Sequence, residues 1–289
     1  MHNSTQVRIA VIAAAGHATR MWPASKVVPK ELFPLGSTPA LMHIISEFAE
    51  AGIRRIVLVT SDLSHDLIAG LLDRSCPAPK RVAGDPAVQE FVELLSEIDF
   101  TLIRQSDAYG NAVPLVDASR AIPEIQTEPC IYAFGDDIVL GENAAEGLIR
   151  TFNRTGCPVL AAQSVPDEQK RLFGIVDYFS EDGVNYITRL IEKPGPGATD
   201  SNLASFGRYL VTPELMDDLR STPQGKDGEV WFVDAVINQI QGGKRVCVLP
   251  LSTGNWYTVG NPKSYAEAVQ AAALALASKA PKSRLSPAK

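Results

Sequence analysis

The sequence predicts an α/β fold with a mostly parallel sheet flanked by helices and a smaller antiparallel part in its second half. Three observations predict it. Val7–Ala15 is a nearly continuous apolar run that ends at Gly16, as a strand buried on both faces does when it enters a turn. Ile56–Thr60 and Cys130–Phe134 repeat that apolar character, with helical spacing between the runs, the signature of a sheet with crossover helices. Beyond residue 165 the pattern changes to two strands paired around the turn Glu181-Asp182-Gly183.

The elements follow in order. After the first strand, Leu41, Ile44, Ile45 and Phe48 share one helical face over residues 39–52, which closes at Gly52. Ile56–Thr60 is the second strand, and residues 63–73 form the second helix. Residues 75–87, rich in Pro, Lys, Arg and Gly, form a loop. A helix over 88–98, a strand at Thr101–Arg104 and a helix over 112–121 lead to Cys130–Phe134. That strand ends in Gly135-Asp136-Asp137. A helix near 143–154 and a strand near 158–164 complete the first half. In the second half, Gly174–Phe179 and Tyr186–Ile191 pair as strands, and Arg208–Val211 and Val246–Leu249 are further strands. Helices cover 213–220 and 230–241, with a loop at 221–228 between them. An Ala-rich helix runs from about 264 to 278, and the Pro- and Ser-containing tail 279–289 has little to bury and is expected to fray. The pattern is Rossmann-like.

The bulk numbers narrow the function classes. The 289 residues suffice for one large α/β domain or two small ones. With 45% hydrophobic and 21% charged residues the chain is an ordinary globular sequence. A net charge of −6 argues against a nucleic-acid partner. The four cysteines, Cys76, Cys130, Cys157 and Cys247, are far apart in sequence and show neither zinc spacing nor a disulfide pattern. The start is polar, and no stretch approaches the ~20 apolar residues of a membrane span, so a cytoplasmic protein is expected.

The chemistry concentrates where the first strand ends. Ala14-Ala15-Gly16-His17-Ala18-Thr19 is a glycine-containing turn at a strand's carboxyl end. Such a turn presents backbone N–H groups as an anion-binding nest, at the end of the sheet where α/β proteins bind ligands. Arg20, Lys26 and Lys30 add three cations in the same loop. The coincidence favours phosphate over a merely solvated basic loop. The Walker and dinucleotide glycine patterns are both absent. Asp136 at another strand end offers a carboxylate, although a helix cap or a surface turn would use the same residue.

The stretch AAGHATRMWPASKVVPKELFPL resembles the signature loop of bacterial UTP–glucose-1-phosphate uridylyltransferases, close to AAGxGTR followed by PKxxxPL. The resemblance continues in order through Arg104-Gln105, Gly110-Asn111-Ala112-Val113, Gly135-Asp136, Phe173-Gly174-Ile175-Val176 and Glu192-Lys193-Pro194. It ends with Ser201-Asn202-Leu203-Ala204, Gly207-Arg208-Tyr209 and Gly260-Asn261. It implies a nucleotidyltransferase fold in a single domain over residues 1–278. About 7–165 would bind the nucleotide, about 166–263 the sugar phosphate, and about 264–278 would be a C-terminal helix. It implies a Mg2+-dependent transfer in which a sugar 1-phosphate attacks the α-phosphorus of a nucleoside triphosphate, with UTP and glucose 1-phosphate as the default pair. Arg20, Lys30 and Lys193 would be catalytic. Ala14, Ala15, Gly16, His17, Ala18, Thr19, Glu31, Gln105 and Gly110 would hold the nucleotide. Gly174, Glu192, Lys193 and Asn202 would hold the sugar phosphate, and Asp136 would bind the metal. A homo-oligomer is also implied.

Four positions depart from the family pattern. Ala18 replaces a glycine, Ser106 a glycine and Asn111 a histidine, while Thr258 stands where the family has an aspartate that binds metal. These changes leave open the base preference, and they admit a chain that binds a sugar nucleotide without turning it over. A glycosyltransferase using a diphosphate sugar fits less well, because the cationic loop suits a triphosphate.

Overall fold

The computed structural model describes residues 6–223 and 228–279. The chain opens with β1 (Ile9–Ala14), passes through a loop of short 3-10 turns, and makes a small hairpin of β2 (Pro34–Leu35) and β3 (Thr38–Pro39). Helix α1 (Ala40–Glu50), β4 (Arg55–Thr60), α2 (Asp62–Leu72), α3 (Pro86–Glu97) and β5 (Asp99–Arg104) follow. Then come α4 (Val113–Ala121), β6 (Cys130–Phe134), β7 (Asp137–Leu140), α5 (Ala144–Thr155) and β8 (Val159–Ser164). The second half contains β9 (Gly174–Glu181), β10 (Val184–Glu192), β11 (Leu203–Val211), α6 (Pro213–Ser221), α7 (Phe232–Gln241), β12 (Cys247–Pro250), β13 (Asn255–Thr258) and α8 (Pro262–Lys279).

Nine strands make one mixed sheet in the order β5-β4-β1-β6-β11-β8-β12-β10-β9. The first four are parallel to one another. The antiparallel β11 then joins β6 to β8, and the hairpin β9–β10 closes back so that β9 also touches β11 at Ser205↔Gly174. Successive side chains of β1 point to opposite faces, as strand geometry requires. Ala10, Ile12 and Ala14 join the core beneath α1, α5 and α8, whereas Ile9 and Val11 join the core beneath α4, α6 and α7. Each large apolar side chain buried in these layers contributes ~1.5–3 kcal/mol.

One polar tie crosses the first core. Arg208 of β11 is fully buried and donates to both carboxylate oxygens of Glu47 on α1, at 3.3 and 3.0 Å. The same guanidinium donates to the carbonyls of Asp137 (2.8 Å) and Gly207 (3.0 Å). Glu47 also accepts the Ala145 amide at 2.9 Å, tying the start of α5 to α1.

Beyond shifts of a few residues at element ends and the short β2–β3 hairpin, the sequence expectation and the structure differ as follows. The strand expected at Arg208–Val211 begins at Leu203, because that segment is shared among three partner strands. The helix expected from 230 begins at Phe232, because the residues before it clamp another loop. Strands β7 and β13 were not expected. Each is four residues long, and their pairing joins segments more than a hundred residues apart. Part of the 221–228 loop, residues 224–227, and the tail 280–289 lie outside the described residues. Among the described residues no helix is long and apolar enough to cross a membrane.

Candidate active site

The turn after β1 is held from below. Ser64, on the capped first turn of α2, donates its hydroxyl to the Ala14 carbonyl at 2.8 Å. The amides of Gly16, His17 and Ala18 then donate to no group among the described residues. Ala18 adopts the left-handed conformation, with φ 48° and ψ 39°. Its carbonyl accepts from the Met21 amide (2.9 Å) and the Ser25 hydroxyl (2.8 Å). Three consecutive amides are therefore left for an outside acceptor, and the left-handed turn at Ala18 is a conformation from which anion nests are built. His17, Thr19, Arg20 and Lys26 are exposed around it. Among the described residues neither Arg20 nor Lys26 pairs with a carboxylate.

Lys30 returns to this turn from the third 3-10 turn. A Cβ at Gly16 would lie 3.2 Å from the Lys30 Nζ. That ammonium donates to Asp136 Oδ2 at 2.7 Å and lies 4.0 Å from Glu31 Oε1. Asp136 is brought there because β1 and β6 are parallel neighbours and Gly135 donates its amide to the Ala13 carbonyl at 2.8 Å. One lysine therefore faces two carboxylates and serves them unequally. Burial alone would lower the Lys30 pKa, but Asp136 and Glu31 more than reverse this and hold it above its ordinary value. Glu31 is 1% exposed, and neither of its oxygens has a hydrogen-bond partner among the described residues. Burial, opposed by Lys30, pushes its carboxyl up to about 7.

The sheet β7–β13 sets Thr258 opposite Asp137. A Cβ at Gly260 would come within 2.6 Å of Asp136 Oδ2 and 3.2 Å of the Thr258 hydroxyl oxygen. Thr258 thus stands beside Asp136, and glycine at 260 leaves the space between them. Asp137 faces away from this space. Its carboxylate accepts from the Gly207 amide at 2.8 Å and is buried; burial and the neighbouring Asp136 raise its pKa.

The base-side and sugar-side candidates meet at the segment before α7. Gln105 extends β5, with its amide donating to the Thr60 carbonyl at 2.9 Å. Gly110, at φ +132°, lies against Val230, whose carbonyl oxygen would be 2.3 Å from a Cβ there; no other residue type fits. Val230 donates to the Tyr109 carbonyl and accepts from Ala112, while Asn111 Oδ1 accepts from the Phe232 amide at 2.8 Å. Next to Val230, the Trp231 ring carries the Lys193 ammonium 4.8 Å from its centroid. Lys193 has φ 47°, and its amide donates to the Phe173 carbonyl at 3.0 Å. Glu192 pairs with Gly174 across β9–β10 and lies 3.6 Å from the Lys193 ammonium. Burial raises the Glu192 pKa against the pull of Lys193.

Two groups of expected residues are therefore assembled. Ala14 through Thr19, Arg20, Lys30, Glu31 and Asp136 gather at the carboxyl ends of β1 and β6; Gly110 and Lys193 meet residues 230–231, and Glu192 links Lys193 to Gly174. Asn202 makes no side-chain hydrogen bond among the described residues. It is exposed, three residues before Ser205, and its carbonyl accepts from Val165. Sequence reading missed Ser64 and Trp231. The capping pattern of Ser61 and Ser64 was a readable signal for the first. No local signal announces the second, because its partner is distant in the chain.

Among the described residues no three His, Cys, Asp or Glu side chains are grouped to hold a metal. Asp136 nonetheless suits a hard cation that takes one carboxylate and completes its shell with phosphate and water. Its side chain is 18% exposed, and one oxygen lies close against Gly260, where a Cβ would come within 2.6 Å. The arrangement can gather anionic phosphates between free amides and unpaired cations, and can neutralise charge that moves among them.

A model of the family described as nucleotidyl transferase matches residues 9–274. The UTP–glucose-1-phosphate uridylyltransferase of Bacillus subtilis (strain 168) is 34% identical over 244 residues, covering 82% of this chain and 82% of that protein. The enzyme of the same name from Pseudomonas aeruginosa is 29% identical over 277 residues, covering 91% and 94%. A crystal structure of UDP-glucose pyrophosphorylase complexed with UDP-glucose superposes with a TM-score of 0.83 at 25% identity. It covers 93% of this chain and 100% of that one.

Proposed function

The chain belongs to the nucleotidyl transferase family, among the UTP–glucose-1-phosphate uridylyltransferases, and from that premise we propose that it joins UTP to glucose 1-phosphate, releasing pyrophosphate and UDP-glucose. The observation that supports this reading best is the pairing of a nest of unpartnered amides with the Lys30–Asp136 pair at the same strand ends.

In this reading the amides of residues 16–18 and the Arg20 guanidinium bind the triphosphate. A phosphate oxygen of the sugar 1-phosphate attacks the α-phosphorus, and the bond from that phosphorus to the bridging oxygen of the leaving pyrophosphate breaks. Lys193 holds the attacking phosphate in line, and Glu192 accepts from sugar hydroxyls beside Gly174. Lys30 neutralises charge on the phosphates as the bond breaks. Asp136 is the ligand for Mg2+, which, when bound, supplies further positive charge to the phosphates. Gln105 and Gly110 face the base. Asn202, exposed just before β11, belongs to the sugar side. A homo-oligomer fits the exposed Leu274 on α8.

The neutral Thr258 beside Asp136 favours one other reading, a chain that binds the sugar nucleotide without turnover. Pyrophosphate release distinguishes the two. With Mg2+, UTP and glucose 1-phosphate, stoichiometric pyrophosphate and UDP-glucose are expected. UDP-glucose binding with no release from any triphosphate and sugar 1-phosphate pair would establish the second reading.

A further inference from the structure

Two cysteines far apart in sequence meet at the amino ends of β8 and β12. Cys247 pairs with Val159 in the parallel ladder, and its amide donates to the Pro158 carbonyl at 2.8 Å. Cys157 lies two residues before Val159 and packs against the same core that Cys247 joins. Both thiols converge on Thr155, the last residue of α5. Cys157 Sγ donates to its carbonyl at 3.5 Å, and Cys247 Sγ lies 3.8 Å from its hydroxyl. Arg245, two residues before Cys247, adds a cation on this side. It is held by Glu181 at 2.7 Å and lies over the Tyr186 ring. Cys157 is partly exposed and Cys247 is buried.

We propose that Cys157 and Cys247 form a dithiol site that a hydroperoxide oxidises, with Cys157 as the attacking thiol and Cys247 as the resolving one. The site lies outside the reaction centre. The strand β8 runs in the direction of β6, since both are antiparallel to β11, so the amino ends of β8 and β12 are at the opposite edge of the sheet from Asp136.

The electrostatics agree with this division of roles. Contact with the Cys247 thiol holds the Cys157 pKa well below the ordinary thiol range, against the effect of partial burial and with help from Thr155 and Arg245. The Cys247 pKa is raised by Cys157 and by burial. The Cys157 thiolate attacks one peroxide oxygen and the O–O bond breaks. The departing oxygen takes a proton, leaving a sulfenic acid on Cys157 and an alcohol, or water from hydrogen peroxide. The Cys247 sulfur, giving up its proton, then attacks the Cys157 sulfur and expels water. Two thiols are oxidised by two electrons and one peroxide is reduced. The two residues are offset by two positions across the ladder, so bridging draws the connection at Cys157, between α5 and β8, toward β12. A bridge formed at the cost of backbone movement is readily reduced.

Peptide mapping of the native chain after hydrogen peroxide treatment tests the proposal, with Cys76, exposed and unpaired, as the internal control. A Cys157–Cys247 linked peptide that dithiothreitol removes is expected. Cys157→Ser should abolish oxidation at Cys247. Cys247→Ser should accumulate a sulfenic acid on Cys157 that dimedone captures. Without peroxide, Cys157 should be alkylated at pH 7 roughly tenfold faster than Cys76. Preferential oxidation of Cys76, or loss of Cys157 to sulfinic acid with no linked peptide in the native chain, would overturn the assignment.

Discussion

Ala18 occupies the left-handed region, where its methyl group crowds the backbone. Loop signatures of this kind carry glycine there, and the chain keeps the same backbone shape with an alanine held by Met21 and Ser25. Ala18→Gly should therefore stabilise the protein by about 1 kcal/mol in denaturant unfolding; a destabilised variant would contradict the strain. Glu31 shows the opposite kind of cost. Its carboxyl titrates at about 7 when folded against 4.5 when exposed, with burial as the main cause. Between those values the folded chain keeps a proton that the unfolded chain has released, so this residue lowers stability as pH rises through the window and adds no further change above it. Against Glu31→Gln, the native chain should lose on the order of 3 kcal/mol from pH 4.5 to pH 8. Parallel stability curves for the two proteins would remove the raised carboxyl of Glu31 as the cause. The positions of the cations and of Asp136 were legible in the sequence because they fall within short contiguous motifs. The burial of Glu31 was not, because it arises from contact with the end of β6.

At the scale of elements, the hairpin β9–β10 and the segment before α7 jointly hold Lys193. Its left-handed backbone is a sparsely populated state of the kind found at binding sites. Lys193→Ala should lower kcat by on the order of 10²–10³, and near-native turnover would free the residue from its assigned role. The Arg208–Glu47 pair locks β11 onto α1 and also reaches the Asp137 carbonyl, next to Asp136 in the chain. Arg208→Met leaves Glu47 buried without its partner and should cost about 3–5 kcal/mol, read from thermal or urea unfolding. Adding Glu47→Gln should recover part of the loss; a single variant as stable as the native chain would show the pair to be dispensable. The strands of the parallel half were legible as apolar runs, because both their faces are covered. The pairing of β7 with β13, which brings Thr258 beside Asp136, was not: four-residue strands carry little periodicity, and register across more than a hundred residues is set by the finished sheet.

Across the whole molecule, one continuous sheet turns distant sequence into neighbouring chemistry. The parallel half places the ends of β1, β4, β5 and β6 at a common edge. The antiparallel half curls back through β11 and β9, so that Gly174 and Glu192 reach Ser205. The most direct test is a crystal structure of the complex with UTP and Mg2+. The triphosphate is expected within hydrogen-bond distance of the amides of residues 16–18, with Asp136 on the metal. A triphosphate ordered elsewhere, with those amides facing solvent, would contradict the account.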